Sequence, residues 1–174
     1  MEPLAYLITF TTYGTHLHGD PSGSVSKFRN SRDHDYVPDC PDLIRLSKRA
    51  MRDAPFLMNA VVRKVVFGAI LATCRRKGWI VLALHVRVTH VHGVICFQEK
   101  PRRVVDALNA AASQELNKSA LETGRAKRWT RGRSAIPLWT IERVRAANDY
   151  VLNQQGEQME TFEDAEALAD LEGR

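Results

Sequence analysis

Hydrophobic positions along the chain recur with a period of two in some stretches and of three to four in others, and the switching between them predicts the elements. Residues 5–13, Ala-Tyr-Leu-Ile-Thr-Phe-Thr-Thr-Tyr, carry strand-forming side chains throughout, with Tyr6, Ile8 and Phe10 alternating against Leu7 and Thr9. Apolar side chains on both faces mark this as a first and central strand. Residues 14–41 break the pattern, since Gly14, Gly19, Pro21, Gly23, Pro38 and Pro41 stand among many polar residues and predict a long loop. Residues 42–52 suit a short helix, ended by Asp53-Ala54-Pro55. Residues 56–77 predict a longer one: Val61, Val62, Val65, Val66, Ala69, Ile70 and Cys74 form a stripe, and Arg63, Lys64, Arg75, Arg76 and Lys77 lie off it. Gly78 stops that helix.

Residues 79–86 read as a second strand. Only Arg87, Val88 and Thr89 separate this second strand from a third, His90-Val91-His92-Gly93-Val94-Ile95-Cys96-Phe97, so the pair predicts a hairpin. Residues 99–121 form a second long helix, with Pro101 at its start and Val104, Val105, Leu108, Ala111, Ala112 and Leu116 facing inward. A short apolar strand follows at residues 135–140, and Thr140 then caps a final helix at 141–155 that ends at Gly156. The order strand, helix, strand, strand, helix, strand, helix is that of an α+β, ferredoxin-like (βαββαβ) antiparallel sheet with an added C-terminal helix. Strands one and three are the central pair of that topology, which sets the histidines mid-sheet on the face that the last helix can cover.

Length and composition narrow the picture further. A chain of 174 residues, 44% apolar and 26% charged, can build one domain with a real core but not two comfortable ones. No apolar run is as long as a membrane span. Met1-Glu2-Pro3-Leu4 lacks the basic start and cleavage site of a signal peptide, so a cytoplasmic location is expected. Cys40, Cys74 and Cys96 are odd in number and scattered, which argues against a disulfide framework or a zinc knuckle and for buried or half-buried thiols.

Charge divides the chain in two. Residues 157–174 carry seven acids and one base, so residues 1–156 hold a net charge of +11 within the total of +5. The expected organisation is one domain over residues 1–156 and an acidic C-terminal tail over 157–174, either mobile or marginally helical. A body this basic suggests a polyanionic partner, most simply nucleic acid, although a basic surface also serves solubility.

Three groups of residues carry candidate chemistry. His90 and His92 lie two apart in a strand and project from one face, where two imidazoles can hold one cation. Such a pair is also compatible with a strand that carries histidines for no chemical reason. Tyr150 and Gln154 lie four apart on one face of the last helix, beside the apolar stripe Val144, Ala147 and Val151. The plain reading of that tyrosine is a half-buried packing residue. Arg125, Lys127, Arg128, Arg131 and Arg133 surround Trp129 in the most basic stretch, suited to gripping phosphates and stacking a base, or simply to solvation. A second His-x-His, His16-Leu17-His18, falls in the long loop with His34 and has no strand to align it.

In combination these motifs resemble a family. His-hydrophobe-His followed downstream by a helix with Tyr-x-x-x-Gln is similar to the single-tyrosine HUH transposases, of the IS200-like and REP-associated tyrosine transposase group. The likeness runs from Leu7-Ile8-Thr9-Phe10-Thr11-Thr12-Tyr13-Gly14-Thr15 through Thr89-His90-Val91-His92-Gly93 to Tyr150-Val151-Leu152-Asn153-Gln154. It departs from the pattern at Thr15-His16-Leu17-His18-Gly19-Asp20, where near relatives read Thr-Trp-Leu-Pro-Gly-Asp. The resemblance implies a metal-dependent single-stranded DNA endonuclease and strand transferase acting beside imperfect hairpins. Tyr150 would be the nucleophile, and His90, His92 and Gln154 the ligands of a divalent metal, with Asn153 the competitor for the third place. Mixed nitrogen and oxygen ligation with open positions suits Mg²⁺ or Mn²⁺. Attack would leave a 5′-phosphotyrosine and a free 3′-hydroxyl, a bond that a second 3′-hydroxyl can reverse without ATP. Both monomers and homodimers fit the resemblance. The rival reading is a non-catalytic ferredoxin-like module that binds RNA or DNA, and fold alone does not separate the two.

Overall fold

The computed structural model describes residues 2–15 and 41–173. Most of the long loop, with the His16-Leu17-His18 pair, His34 and Cys40, lies outside the described residues. Five strands and five helices follow in the order β1 (Ala5–Thr12), α1 (Pro41–Arg49), α2 (Ala60–Lys77), β2 (Ile80–Val86), β3 (His90–Cys96), α3 (Pro101–Lys118), β4 (Trp129–Leu138), α4 (Ile141–Asn153), β5 (Glu160–Glu163) and α5 (Ala165–Glu172). The strands form one sheet in the order β4-β1-β3-β2-β5, antiparallel at every pairing. The first four strands with α2 and α3 make the βαββαβ arrangement expected from the sequence.

Local chemistry sets most boundaries. Asn59 Oδ1 accepts from Val62 N at 3.0 Å and starts α2, and Gly78 closes it in the left-handed conformation at φ 69°. The helix therefore begins later than its periodicity predicted. Residues 56–58 run extended instead, held by Phe56 N donating to Tyr13 O and Met58 N to Val88 O, with Phe56 and Met58 fully buried. Thr140 caps α4, its hydroxyl accepting from Arg143 N. β4 starts earlier than expected and takes in the basic residues from Trp129 to Arg133, because Phe10 and Thr12 of β1 pair with that segment.

The sheet separates two cores. On one face α2 and α3 cover Ile8, Phe10, Leu84, Val86, Val91 and Ile95. On the other, α4 lays Val144, Ala147, Val151 and Leu152 over Ala5, Leu82, Ala83, Val94 and Leu138.

The acidic segment is not a free tail. β5 pairs with the outer edge of β2, Phe162 packs against the larger core, and Ala167, Leu168 and Leu171 of α5 pack against the smaller one. Its composition hid this, because the apolar residues needed for docking are few and spaced among carboxylates. Arg63 with Glu160, and Arg145 with Glu172, join the segment to the basic body.

Candidate active site

His90 and His92 open β3, in the centre of the sheet. Pairing sets His92 beside Thr9 of β1 and His85 of β2, and His90 beside Thr11. Directly opposed residues in an antiparallel pair share a face, so a polar row crosses the sheet beneath α4. The two imidazole rings lie 4.7 Å apart, centroid to centroid, at 68°. Each has a hydroxyl on Nδ1: Thr9 Oγ1 at 2.8 Å from His92, and Thr89 Oγ1 at 3.0 Å from His90. A hydroxyl that accepts from Nδ1–H leaves the Nε2 lone pair as the ligating position.

Burial holds His92 in its neutral form. Only 7% of the residue is exposed, and its pKa is lowered from 6.5 to about 3, chiefly by burial and then by His90, His85 and Arg87. The acceptor oxygen of the Gln155 side chain works in the opposite sense.

Tyr150 lies at the margin of the apolar stripe of α4. Its ring meets His92 edge to face, 5.5 Å between centroids at 70°, within the same chain. The residue stays 38% exposed.

The amides follow a different plan from the helical spacing. Gln154 sits at the C-cap with φ −105° and ψ 16°, outside the regular helix. Its Nε2 donates to Asp149 Oδ2 at 2.5 Å, and Asn153 Nδ2 donates to Asp149 Oδ1 at 2.8 Å. Those two bonds, Asn153 first, hold the Asp149 carboxyl below its usual range. Gln155 is the less exposed of the two glutamines, and its Nε2 donates to Tyr150 O at 3.1 Å. The helix ends one residue before a strict spacing of four would take effect, and adjacent glutamines give no signal of which one that brings to the site.

The basic stretch splits into anchored and exposed cations. Arg128, only 8% exposed, donates to Asn117 Oδ1 and Glu122 O, both at 2.8 Å, and so secures the end of α3. Trp129 donates to Asn109 O and Ser113 Oγ, and its ring packs on Phe10 and Phe56. Arg125 bonds Glu122 and Ala54 O and lies over Phe56, while Arg133 pairs with Asp106. Lys127 and Arg131 remain exposed, Lys127 above the Tyr13 ring.

His85 is the residue at this site that sequence reasoning passed over. It read as one position in an apolar strand, and its register with His92 depends on the irregularity between Val81 and Ala83, which no hydrophobic period announces.

No protein-family profile matches the chain, and no curated protein matches it. Among solved structures it is similar to that of a REP-associated tyrosine transposase bound to a REP hairpin, at 10% identity and a TM-score of 0.49, over 88% of this chain and 67% of that one.

Proposed function

We propose that this protein is a divalent-metal-dependent single-stranded DNA endonuclease and strand transferase of the HUH type, with Tyr150 as nucleophile. The observation that carries the reading is the contact of the Tyr150 ring with His92, itself 4.7 Å from the His90 ring, within one chain.

The donor set suits a hard or borderline cation. His90 and His92 offer Nε2, and a glutamine amide offers an oxygen: Gln155 as it stands beside His92, or Gln154 on a turn away from Asp149. Among the described residues no three His, Cys, Asp or Glu side chains cluster, so an amide is the natural third donor. The depressed pKa of His92 keeps it in the ligating form at neutral pH. A bound Mg²⁺ or Mn²⁺ would polarise the scissile phosphate and offset charge in the transition state.

The rest is the work of the chain itself. Tyr150 Oη attacks phosphorus and loses its proton. The bond to the 3′-oxygen breaks, and that oxygen takes up a proton. The product is a 5′-phosphotyrosine, from which a second 3′-hydroxyl can regain the phosphodiester. Lys127 and Arg131 would hold backbone phosphates, and hairpin-flanked single strands are the proposed substrate.

The test is a covalent adduct. A 3′-labelled, hairpin-bearing single strand incubated with the protein and Mn²⁺ should yield a labelled protein band on a denaturing gel. Tyr150→Phe should abolish the band while leaving strand binding intact. A band that survives in the variant moves the nucleophile elsewhere, and binding without any band in the wild type favours a non-catalytic nucleic-acid module.

A further inference from the structure

Resting on the reading of Tyr150 as nucleophile, we infer that His85 is a positioning residue, one that fixes the C-terminal end of α4 and thereby the place of Tyr150 against His92. His85 is completely buried in β2. Its Nδ1 lies 2.9 Å from Val151 O, the carbonyl next to Tyr150 in the chain. Met159 N donates to its Nε2 at 3.3 Å, and Arg87 Nη1 approaches the same nitrogen at 3.4 Å. One tautomer satisfies every contact: protonated on Nδ1 and donating to Val151, with Nε2 accepting.

The carbonyls of a last helical turn have no partner within the helix. At α4 His85 takes Val151 O, while Tyr150 O accepts from the Gln154 backbone N–H and from Gln155 Nε2. Arg87 Nη1 adds a bond to Glu157 O at 2.8 Å. The end of β2 thus grips the chain on both sides of Gly156, once in α4 and again on the way to β5.

Both ring nitrogens of His85 are engaged in these bonds. Although it sits beside His92 in the sheet, it serves as a clamp on the helix and not as a ligand. Packing alone fixes the stripe of α4 on the sheet but leaves rotation and slide about that stripe soft. A directed bond to Val151 removes that freedom one residue from the reacting group.

The experiment compares wild type, His85→Leu and His85→Asn. Asparagine keeps a donor close to the position of Nδ1, whereas leucine fills the space without one. Three readouts are taken: nuclear Overhauser contacts between the Tyr150 and His92 rings, Mn²⁺ affinity by calorimetry, and adduct formation split into saturated rate and half-saturating strand concentration. In His85→Leu the ring contacts should vanish, the saturated rate should fall about tenfold to a hundredfold, half-saturation should stay within about twofold of wild type, and Mn²⁺ affinity should fall only by the share of the amide donor on α4 and return in His85→Asn. His85→Asn should regain the contacts and most of the rate.

Ring contacts that persist in His85→Leu, or a drop in Mn²⁺ affinity shared by both variants, would overturn the assignment. Should His85→Leu fail to fold, loss of the ring contacts in a folded His85→Asn would overturn it equally. If the wild type forms no adduct while the ring contacts follow His85 as stated, the catalytic reading falls and the positioning role stands.

Discussion

Thr9 Oγ1 lies 2.8 Å from Nδ1 of His92, across the β1–β3 pairing. A threonine on the first strand therefore sets which nitrogen of a histidine on the third faces outward. Partners behind a ligating histidine typically account for about tenfold to a hundredfold in metal affinity. Thr9→Val, which keeps the shape and removes the hydroxyl, should weaken Mn²⁺ binding by about tenfold or more without altering the circular dichroism spectrum. Calorimetry reads this directly, and unchanged affinity would show that the ring is oriented by packing alone.

The buried histidines should make stability depend on pH in one direction. An exposed imidazole titrates near 6.5, whereas burial lowers His92 to about 3 and lowers His85 as well. Between those values the unfolded chain binds protons that the folded chain does not. Stability is complete above the unfolded pKa and falls as pH drops through the window, by at most about 1.4 kcal/mol per pH unit for each such histidine. Urea unfolding between pH 7 and 5, above the range of ordinary carboxylates, should show the decline, and His92→Asn should show a shallower slope. Equal slopes would mean that water reaches His92 in the folded protein.

The sequence carried the fold further than the site. Strand and helix order were legible because β1 and α3 obey their hydrophobic periods and β2 and β3 are short runs of strand-forming residues separated by three residues, and the pairing of β1 with β3 follows from topology. The bonds that tie Asn153 and Gln154 to Asp149 were not legible, since they depend on where α4 stops. The partners of His85 and Arg128 were equally hidden, because both are polar residues whose bonds run to backbone carbonyls, and such bonds leave no pattern in side-chain chemistry. β5 escaped notice for another reason: a strand of four residues pairs through its backbone, so acidic side chains do not forbid it.

The split within the basic stretch predicts two distinct phenotypes. Arg128→Ala removes a buried guanidinium and its bonds to part-buried acceptors at the end of α3 and should cost roughly 2 kcal/mol of stability. Lys127→Ala and Arg131→Ala should leave thermal unfolding unchanged and weaken binding of single-stranded DNA. Each should also reduce the slope of log K against log salt by about 0.7. Arg128→Ala with wild-type stability and weakened DNA binding would reverse the division.

Asn148 tests how well α4 is docked. It is 3% exposed on the buried face of the helix, and neither atom of its amide has a hydrogen-bond partner among the described residues. An unsatisfied buried amide costs about 1–3 kcal/mol, so Asn148→Leu, which matches it in size, should raise the melting temperature and slow amide exchange along α4. A lower melting temperature would mean that the amide is satisfied in solution.

The C-terminal segment bears on assembly. A helix exchanged between two subunits and open sheet edges are two routes to a dimer, and the structure closes both within one chain. Tyr150 meets His92 in cis, and β5 covers the edge of β2. The opposite edge, β4, carries Gly132 and Pro137 with Arg131 and Arg133, features that discourage pairing with another strand. The 174-residue chain should therefore be monomeric by light scattering at micromolar concentration. Ending it after Gln158 removes β5 and α5, exposes the β2 edge with its run of apolar residues, and takes away the Met159 contact to His85. That variant should self-associate and melt at lower temperature, while Lys substitutions for Leu84 and Val86, residues that point into the core, would only unfold it. Ile80→Lys is the informative companion, because Ile80 is exposed on the same strand: a charge there should reduce association of the shortened chain without changing the full one. A shortened chain that remains monomeric would show that β2 needs no cover, and a dimeric full chain would reopen exchange of α4.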